Sequence, residues 1–226
     1  MSREFRRGWI FSGGSIDAET AEAFMERERE RGGALYRIAA DRGLVFCREH
    51  GILPDLILGD FDSAPSAELE YYRERIPERI RSFPPQKDET DTELAVRAAA
   101  EAGCREITVF GATGTRLDHV LGNIHLLKQA SDRGIRMFLV DAHNRIRLLR
   151  AGETCAFLRE ELYGRYVSLI PFAGDAEGIT LEGFAYSVQD FTLRAGSPRG
   201  VSNELAADRG TIRLGGGYLL VVESKD

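Results

Sequence analysis

The hydrophobic residues of the chain up to about residue 141 follow two alternating patterns. Short apolar runs predict strands, and segments whose apolar residues recur three or four positions apart predict helices. The predicted strands cover residues 9–11, 35–40, 56–58, 79–83, 107–110 and 135–140. Three predicted helices cover residues 44–50, 67–76 and 116–130. Another follows Asp17, which is expected to cap it, and a further one begins after about residue 88. This alternation indicates a mostly parallel sheet with right-handed crossovers.

The pattern changes after about residue 141, where helical periodicity disappears and glycine separates short β-prone runs. These runs cover residues 146–149, 166–170, 179–181, 191–193, 211–214 and 218–222. Their spacing predicts a smaller antiparallel β-sandwich or barrel. The expected fold class is therefore α/β, with an N-terminal mostly parallel sheet and flanking helices in residues 1–144. Residues 145–226 are expected to form the β-rich domain.

Composition narrows the functional classes. The formal net charge of −6 over 226 residues gives no reason to expect a nucleic-acid partner, since such proteins present basic surfaces. No apolar run approaches the roughly 20 residues of a membrane span, so no membrane partner is expected. The charged first residues do not resemble a signal peptide. Cys47, Cys104 and Cys155 are scattered and odd in number, which predicts a reduced, cytoplasmic protein.

The segment Asp60-Phe61-Asp62-Ser63 follows the apolar run at residues 56–58 and a glycine. Ligands of open α/β sheets bind at the carboxyl ends of the strands, where this segment is expected. An Asp-x-Asp pair on a turn can direct two hard oxygens at one Mg²⁺. Asp, Gly and Ser also form ordinary turns, so the segment alone leaves both a metal site and a plain turn open.

Three further clusters follow strands or precede helices in the same way: Asp41-Arg42-Gly43, Asp88-Glu89-Thr90-Asp91, and the loop from Gly111 to Arg116. In a parallel sheet these loops share one edge, so the carboxylates converge. Carboxylates crowded together repel one another unless a cation lies among them. Mg²⁺ is the expected cation, because it binds one or two carboxylates together with substrate phosphate oxygens.

The loop Gly111-Ala112-Thr113-Gly114 and the helix after it suit a phosphate group. The glycines let backbone N–H groups approach an anion at a helix N-terminus, and Arg116 adds a guanidinium. In that helix Leu117, Val120, Leu121, Ile124 and Leu127 are expected to form the apolar stripe. Arg116, His119 and Asn123 lie on one arc beside the stripe, whereas Asp118, in the first turn, is expected to cap the helix or reach a ligand.

Five stretches stand in one order along the chain: Asp41-Arg42-Gly43, residues 54–63, residues 87–95, residues 111–123, and Gly200-Val201-Ser202-Asn203-Glu204. Together they resemble the thiamine pyrophosphokinase family, particularly its bacterial branch. The resemblance implies a homodimer with the active site between subunits. It also implies an ATP- and Mg²⁺-binding catalytic domain in residues 1–144 and a thiamine-binding β-domain in residues 145–226. Family members use ATP and Mg²⁺ to convert thiamine to thiamine diphosphate, releasing AMP.

The motifs also imply roles for individual residues. Asp60, Asp62 and Asp91 are expected to bind Mg²⁺, and with Asp88 they form the expected catalytic set. Contacts to ATP or its phosphates are expected from Asp41, Arg42, Gly43, Ser63, Thr90, Gly111, Thr113, Gly114, Arg116, Asp118 and His119. Contacts to thiamine are expected from Asn123, Ser202 and Asn203. The family often places an aromatic side chain near thiamine, and the sequence leaves Phe184 and Tyr186 open for that position.

The chemistry implied is attack of the thiamine hydroxyl on the β-phosphorus of ATP. Such transfer depends on positioning and charge neutralisation, and the sequence does not select the carboxylate that accepts the proton. One rival is a haloacid dehalogenase-like phosphatase with Asp60 as nucleophile and Asp62 as acid/base. That reading leaves the Asp88–Asp91 cluster and the β-rich second half unexplained. A non-catalytic sensor, and a related alcohol such as a pterin in place of thiamine, also remain open.

Overall fold

The structure of the protein, a computed structural model, describes residues 7–62, 64–84, 86 and 88–226. The chain divides into two compact units between Ala142 and His143, whereas the sequence predicted the division after residue 144. None of the helices within the described ranges is long and apolar enough to cross a membrane.

The first unit is an α/β fold, as predicted. Its elements are β1 (Arg7–Phe11), α1 (Ala18–Glu30), β2 (Leu35–Ala40), α2 (Gly43–Glu49), β3 (Leu56–Gly59), α3 (Ser66–Arg73), β4 (Ile80–Ser82), α4 (Asp91–Glu101), β5 (Glu106–Phe110), α5 (Leu117–Asp132) and β6 (Arg136–Val140). The described strands form a sheet in the order β4-β3-β2-β1-β5-β6, and every neighbouring pair is parallel. Strands β2, β3 and β4 therefore lie on one side of β1, and β5 and β6 lie on the other side.

The centre of this sheet is a packed apolar core. All five residues of β5 are buried, and the Phe11 ring stacks between the rings of Phe46 and Phe110, with centroid distances of 5.6 and 5.4 Å. The start of α1 is capped by a side chain, because Asp17 Oδ1 accepts the Thr20 N–H at 2.9 Å, as predicted. This core fixes the carboxyl ends of β1 and β5 relative to each other.

Two helices differ from the sequence prediction. The helix predicted over residues 67–76 ends at Arg73, because Ile76 precedes Pro77 and takes a non-helical conformation. In α5 the predicted apolar stripe is only partly buried: Leu127 is buried, but Leu117 and Leu121 are 67% and 51% exposed. Periodicity identified the apolar face of α5 without indicating how much of that face the rest of the chain covers.

The second unit is built from antiparallel strands, as predicted. They are β7 (Asn144–Arg150), β8 (Thr154–Leu158), β9 (Tyr166–Glu182), β10 (Val188–Leu193), β11 (Asn203–Glu204), β12 (Arg209–Arg213) and β13 (Gly216–Ser224). They pair in the order β7-β13-β9-β12-β8, and β10 and β11 also pair with β9. The runs predicted at 166–170 and 179–181 are the two ends of β9. β9 continues through Ala173 and Gly174, whose φ values of 59° and 141° are unusual for a strand.

A buried ion pair lies beside the last strand of this unit. The Glu223 side chain is 0% exposed, and its oxygens accept the Arg145 Nε–H at 2.9 Å and a terminal N–H at 2.6 Å. The backbone N–H of Tyr163 also donates to this carboxylate, at 3.2 Å. The pair therefore joins β7, β13 and the turn before β9 through one buried charge.

Candidate active site

The predicted carboxylate and glycine clusters lie at one edge of the first sheet. Because β1, β2, β3 and β5 are parallel, the loops that follow them share the carboxyl edge, and α4 begins there too. We call these loops and the start of α4 the carboxyl rim. The strand order reverses direction around β1, and such switch points are where open α/β sheets bind ligands.

The loops after β1 and β5 are interlocked through their backbones. The Ser12 N–H donates to the Phe110 carbonyl at 2.9 Å, and the Gly14 N–H donates to the Gly111 carbonyl at 3.0 Å. A Cβ on Gly14 would lie 2.4 Å from the Gly111 carbonyl oxygen, so a side chain there would separate the loops. The Gly111 loop is thus held against Ser12-Gly13-Gly14. The sequence alone did not identify this second loop as part of the site, although a glycine pair after a buried strand was the available signal.

Asp41 stands at the end of β2 beside both neighbouring loops. Its φ of 48° is unusual for a residue with a side chain, and its N–H donates to the Leu58 carbonyl at 2.9 Å. Its carboxylate Oδ2 is 3.3 Å from the Cβ position of Gly13. The structure therefore places this predicted ATP contact within the carboxyl rim, between the loops after β1 and β3. Arg42, which precedes α2, is exposed.

The Asp60–Asp62 segment forms a compact turn after β3. Asp60 Oδ1 accepts the Asp62 N–H at 3.1 Å, and Phe61 between them has φ of 62° with its ring buried. Burying Phe61 holds the turn in place, and the structure leaves Asp60 half-buried and Asp62 exposed. Ser63, another predicted phosphate contact, lies outside the described residues.

The Asp88–Asp91 cluster leads into α4. Thr90 caps the helix, its hydroxyl oxygen accepting the Glu93 N–H at 3.2 Å. Asp91 is the first residue of the helix, where a carboxylate also interacts favourably with the helix dipole. Asp88 is exposed. The predicted phosphate contact Thr90 therefore has a structural task as well, since its oxygen already holds the helix start.

Among the described residues no three His, Cys, Asp or Glu side chains are grouped so that they could hold a metal ion unaided. Magnesium at nucleotide sites typically uses one or two carboxylates and completes its shell with phosphates and water. Asp60, Asp62 and Asp91 supply hard oxygen donors on the carboxyl rim, and this chemistry fits Mg²⁺. Their joint role as ligands of one ion stays a prediction.

Arg116 and Asp118 form an exposed ion pair at the start of α5. The guanidinium contacts the two carboxylate oxygens at 2.6 and 3.2 Å, and both side chains are more than half exposed. The hydrogen bonds from Arg116 lower the pKa of Asp118 to about 2. The exposed pair leaves Arg116 accessible to an anion, and its role as a phosphate contact stays a prediction. His119 is also exposed, and its backbone N–H donates to Asp118.

Asn123 anchors α5 to the glycine loop. Its amide nitrogen donates to the Ala112 carbonyl at 2.7 Å. Asn123 therefore fixes the loop from Gly111 to Gly114, which gives this residue a structural function besides the thiamine contact predicted for it.

A cavity of about 410 Å³ lies within the second unit. Its apolar lining includes Leu169, Ile179, Leu181, Val188, Phe191 and Leu193, and its polar lining includes Tyr186, Arg199, Ser202 and Asn203. Both predicted thiamine contacts from this unit thus line one cavity. Tyr186 lines it and is 74% exposed, whereas Phe184 is buried against Phe157 and does not line it.

Ser202 and Asn203 reach the cavity through a strained turn. Ser202 has φ of 58°, and its N–H donates to the Ser168 hydroxyl at 2.9 Å. The Asn203 amide exchanges two hydrogen bonds of 3.0 Å with the backbone of Tyr186. Asn203 therefore holds Tyr186 at the cavity. The sequence did not predict this clamp, nor Arg199 and Phe191 as lining residues.

Comparison with known proteins places both units in one family. Residues 30–139 match the family profile described as "Thiamin pyrophosphokinase, catalytic domain", and residues 152–219 match "Thiamin pyrophosphokinase, vitamin B1 binding domain". The chain is 36% identical over 189 residues to thiamine pyrophosphokinase of Bacillus subtilis (strain 168), covering 84% of this chain and 87% of that protein.

Solved structures give the same result. The crystal structure of thiamine pyrophosphokinase from Bacillus subtilis superposes with a TM-score of 0.82 at 32% identity, covering 98% of this chain and 100% of that one. The thiamin pyrophosphokinase from Geobacillus thermodenitrificans gives a TM-score of 0.81 at 31% identity, covering 97% and 98%. The chain therefore belongs to the thiamine pyrophosphokinase family.

Proposed function

We propose that this protein is a thiamine diphosphokinase, which converts ATP and thiamine into AMP and thiamine diphosphate. One observation carries the proposal: the catalytic-domain profile matches the first unit and the vitamin B1-binding profile matches most of the second, in family order. A phosphatase of the haloacid dehalogenase type would account for neither match.

The two units divide the substrates between them. The first unit binds ATP at the carboxyl rim, where backbone N–H groups of the glycine loops and the guanidinium of Arg116 suit phosphates. The second unit binds thiamine in its cavity, whose largely apolar lining suits an aromatic heterocycle. Tyr186 contacts the heterocycle, and Ser202 and Arg199 provide polar groups that orient it.

The reaction forms one bond and breaks one. The hydroxyl oxygen of thiamine attacks the β-phosphorus of ATP, and the bond from that phosphorus to the α–β bridging oxygen breaks, so AMP leaves. The hydroxyl proton passes to a carboxylate of the carboxyl rim and then to water. The residues that bind ATP and thiamine contribute by aligning the thiamine hydroxyl with the α–β bridging oxygen that leaves, which is the main requirement of such a transfer.

Asp60, Asp62 and Asp91 would hold Mg²⁺ in this site. When bound, the ion neutralises charge on the phosphate oxygens. The turn hydrogen bond from Asp62 to Asp60 and the Thr90 cap keep these carboxylates oriented before substrates bind.

We further propose that two copies pair and that the protein acts in the cytoplasm. Leu117 and Leu121 leave an apolar strip exposed on α5, which supports a contact with a second copy. A Leu121→Ser change should shift the mass measured by light scattering from dimer toward monomer; a wild-type monomer would contradict the pairing. The cysteines are free and buried, which suits a reducing compartment.

The function is tested by incubating the purified protein with ATP, MgCl₂ and thiamine and separating the products by chromatography. Equal amounts of AMP and thiamine diphosphate, absent when Mg²⁺ is chelated, are expected. ADP with thiamine monophosphate would contradict the transferred group, and AMP formed only with another alcohol would replace the substrate. Binding of both ligands without turnover would make the protein a sensor.

Two variants link the reaction to the proposed residues. Asp62→Asn should lower kcat at least about a hundredfold, because it removes one of the carboxylates that would hold the Mg²⁺ that neutralises the phosphate charge. The control Asp208→Asn alters an aspartate that is fully exposed in the second unit and should leave kcat unchanged. Tyr186→Ala should raise the KM for thiamine about tenfold with little effect on the KM for ATP. Equal effects on both KM values would contradict the assignment of the cavity.

A further inference from the structure

The carboxyl rim contains a buried pair of hydroxyl groups. Ser12 Oγ and Thr92 Oγ1 are 2.7 Å apart, and the two residues are only 6% and 7% exposed. Ser12 follows the central strand β1, and Thr92 is the second residue of α4. The contact thus joins two elements that are 80 positions apart in the chain.

The start of α4 does not need this hydroxyl for its own stability. Thr90 already caps the helix, and Leu94, Ala95 and Ala99 pack its apolar face into the core. Valine would fill the space of Thr92 almost equally well. The oxygen of Thr92 therefore serves the contact with Ser12, which fixes where the first turn of α4 lies relative to β1.

Ser12 is itself fixed to the glycine loop, because its N–H donates to the Phe110 carbonyl and Gly14 is bonded to Gly111. The hydroxyl pair thereby ties the phosphate-binding loop after β5 to the helix turn that carries Asp91. We infer that Ser12 and Thr92 are positioning residues, which set the distance of the Asp91 carboxylate from the phosphates of bound ATP.

Positioning of this kind acts through the residue that contacts the substrate or its ion. Loss of a supporting hydrogen bond around a metal-binding residue typically costs 10- to 100-fold in affinity or activity. The role of Asp91 rests on the proposed function, so the effect of the hydroxyl pair has to be measured by a quantity other than the rate of turnover. ATP binding in the absence of thiamine meets this need.

The experiment measures the Kd for ATP by calorimetry, with MgCl₂ and again with chelator, for the wild type and five variants. The variants are Ser12→Ala, Thr92→Val, both together, Thr92→Ser and Thr108→Val. Thr92→Ser keeps the hydroxyl, and Thr108→Val removes a buried hydroxyl within β5, away from the carboxyl rim.

With MgCl₂, Ser12→Ala and Thr92→Val should each weaken ATP binding about tenfold, and the double change should be no worse than either alone. Thr92→Ser should stay within about twofold of the wild type, and Thr108→Val should match it. With chelator the variants should bind alike, because Asp91 acts on the phosphates through the ion. Unfolding midpoints of Thr92→Val and Thr108→Val well above the assay conditions would show that both variants are folded when their ATP binding is compared.

Wild-type affinity in both single variants would overturn the inference. So would equal weakening with and without Mg²⁺, failure of Thr92→Ser to restore binding, or a wild type that does not bind ATP. If the wild type binds ATP but forms no thiamine diphosphate, the proposed function fails while the binding data still decide the role of the hydroxyl pair.

Discussion

The buried ion pair of Arg145 and Glu223 gives the sharpest prediction about stability. Arg145→Met keeps the aliphatic part of the side chain but removes both guanidinium bonds to a carboxylate that is 0% exposed. The Tyr163 N–H, at 3.2 Å, becomes its main remaining partner among these contacts. Breaking a buried pair by removing one partner costs about 3–5 kcal/mol.

The structure places the expected cost at the lower end of that range. Arg145 is 22% exposed, so water can reach the space that its guanidinium vacates. We therefore expect a loss of about 3 kcal/mol in the free energy of unfolding of the second unit, which at a typical urea dependence lowers its midpoint by about 1–3 M. The matched control, Arg150→Met, breaks an exposed pair with Glu153 and should cost at most about 1 kcal/mol.

Urea unfolding followed by far-ultraviolet circular dichroism measures these values. Fluorescence of Trp9, the single tryptophan, reports the first unit and shows whether the two units unfold together. Replacing both partners, Arg145→Met with Glu223→Leu, should recover most of the loss, because no uncompensated charge then remains buried. Equal midpoint shifts for Arg145→Met and Arg150→Met, or a double variant as unstable as Arg145→Met, would refute the reasoning.

Three other predictions concern two glycine substitutions and the titration of Asp118. Gly43→Ala should destabilise the first unit by about 3 kcal/mol in thermal or urea unfolding, since its Cβ would lie 1.9 Å from the Phe11 carbonyl oxygen. Gly122 lies inside α5, and a Cβ added there would have no atom within 4 Å. Gly122→Ala should therefore raise the free energy of unfolding by about 0.5–1 kcal/mol, and a decrease would contradict the open space at this position. Because its pKa is lowered to about 2, Asp118 should stay ionised, and paired with Arg116, until the pH falls through that value. Carbon-detected NMR titration of the Asp118 carboxyl checks this, and a midpoint near 4 would show that the pair does not persist in solution.

The parts of the fold that the sequence predicted well depend on local patterns. The apolar runs of β1, β2 and β5 and the cap at Asp17 involve neighbouring residues only, and the structure confirms them. The meeting of the Asp and Gly loops at one edge followed from a single further step, since parallel strands bring their carboxyl ends together.

The parts that it missed depend on contacts between distant positions. Nothing near Asn203 in the sequence shows that its amide clamps the backbone of Tyr186, and nothing near Ser12 points to Thr92. Glycine at position 174 resembles a turn signal, yet β9 continues through it, because strands on both sides pair with the two halves of β9. Such outcomes are decided by tertiary packing and not by local propensity.

The long strand β9 also has a consequence for the order in which the units fold. In the first unit, β2 can pair with β1 and β3 with β2 as soon as each is synthesised. In the second unit β7 pairs with β13, with Arg150 opposite Tyr218, and β13 is also the partner of the first half of β9. Contacts of long sequence separation, such as Arg7 opposite Glu106 between β1 and β5, are slow to form in both units, but every strand of the first unit is synthesised before β7. The first unit should therefore reach its folded state early, while the second waits with unpaired strand edges until its last strand arrives.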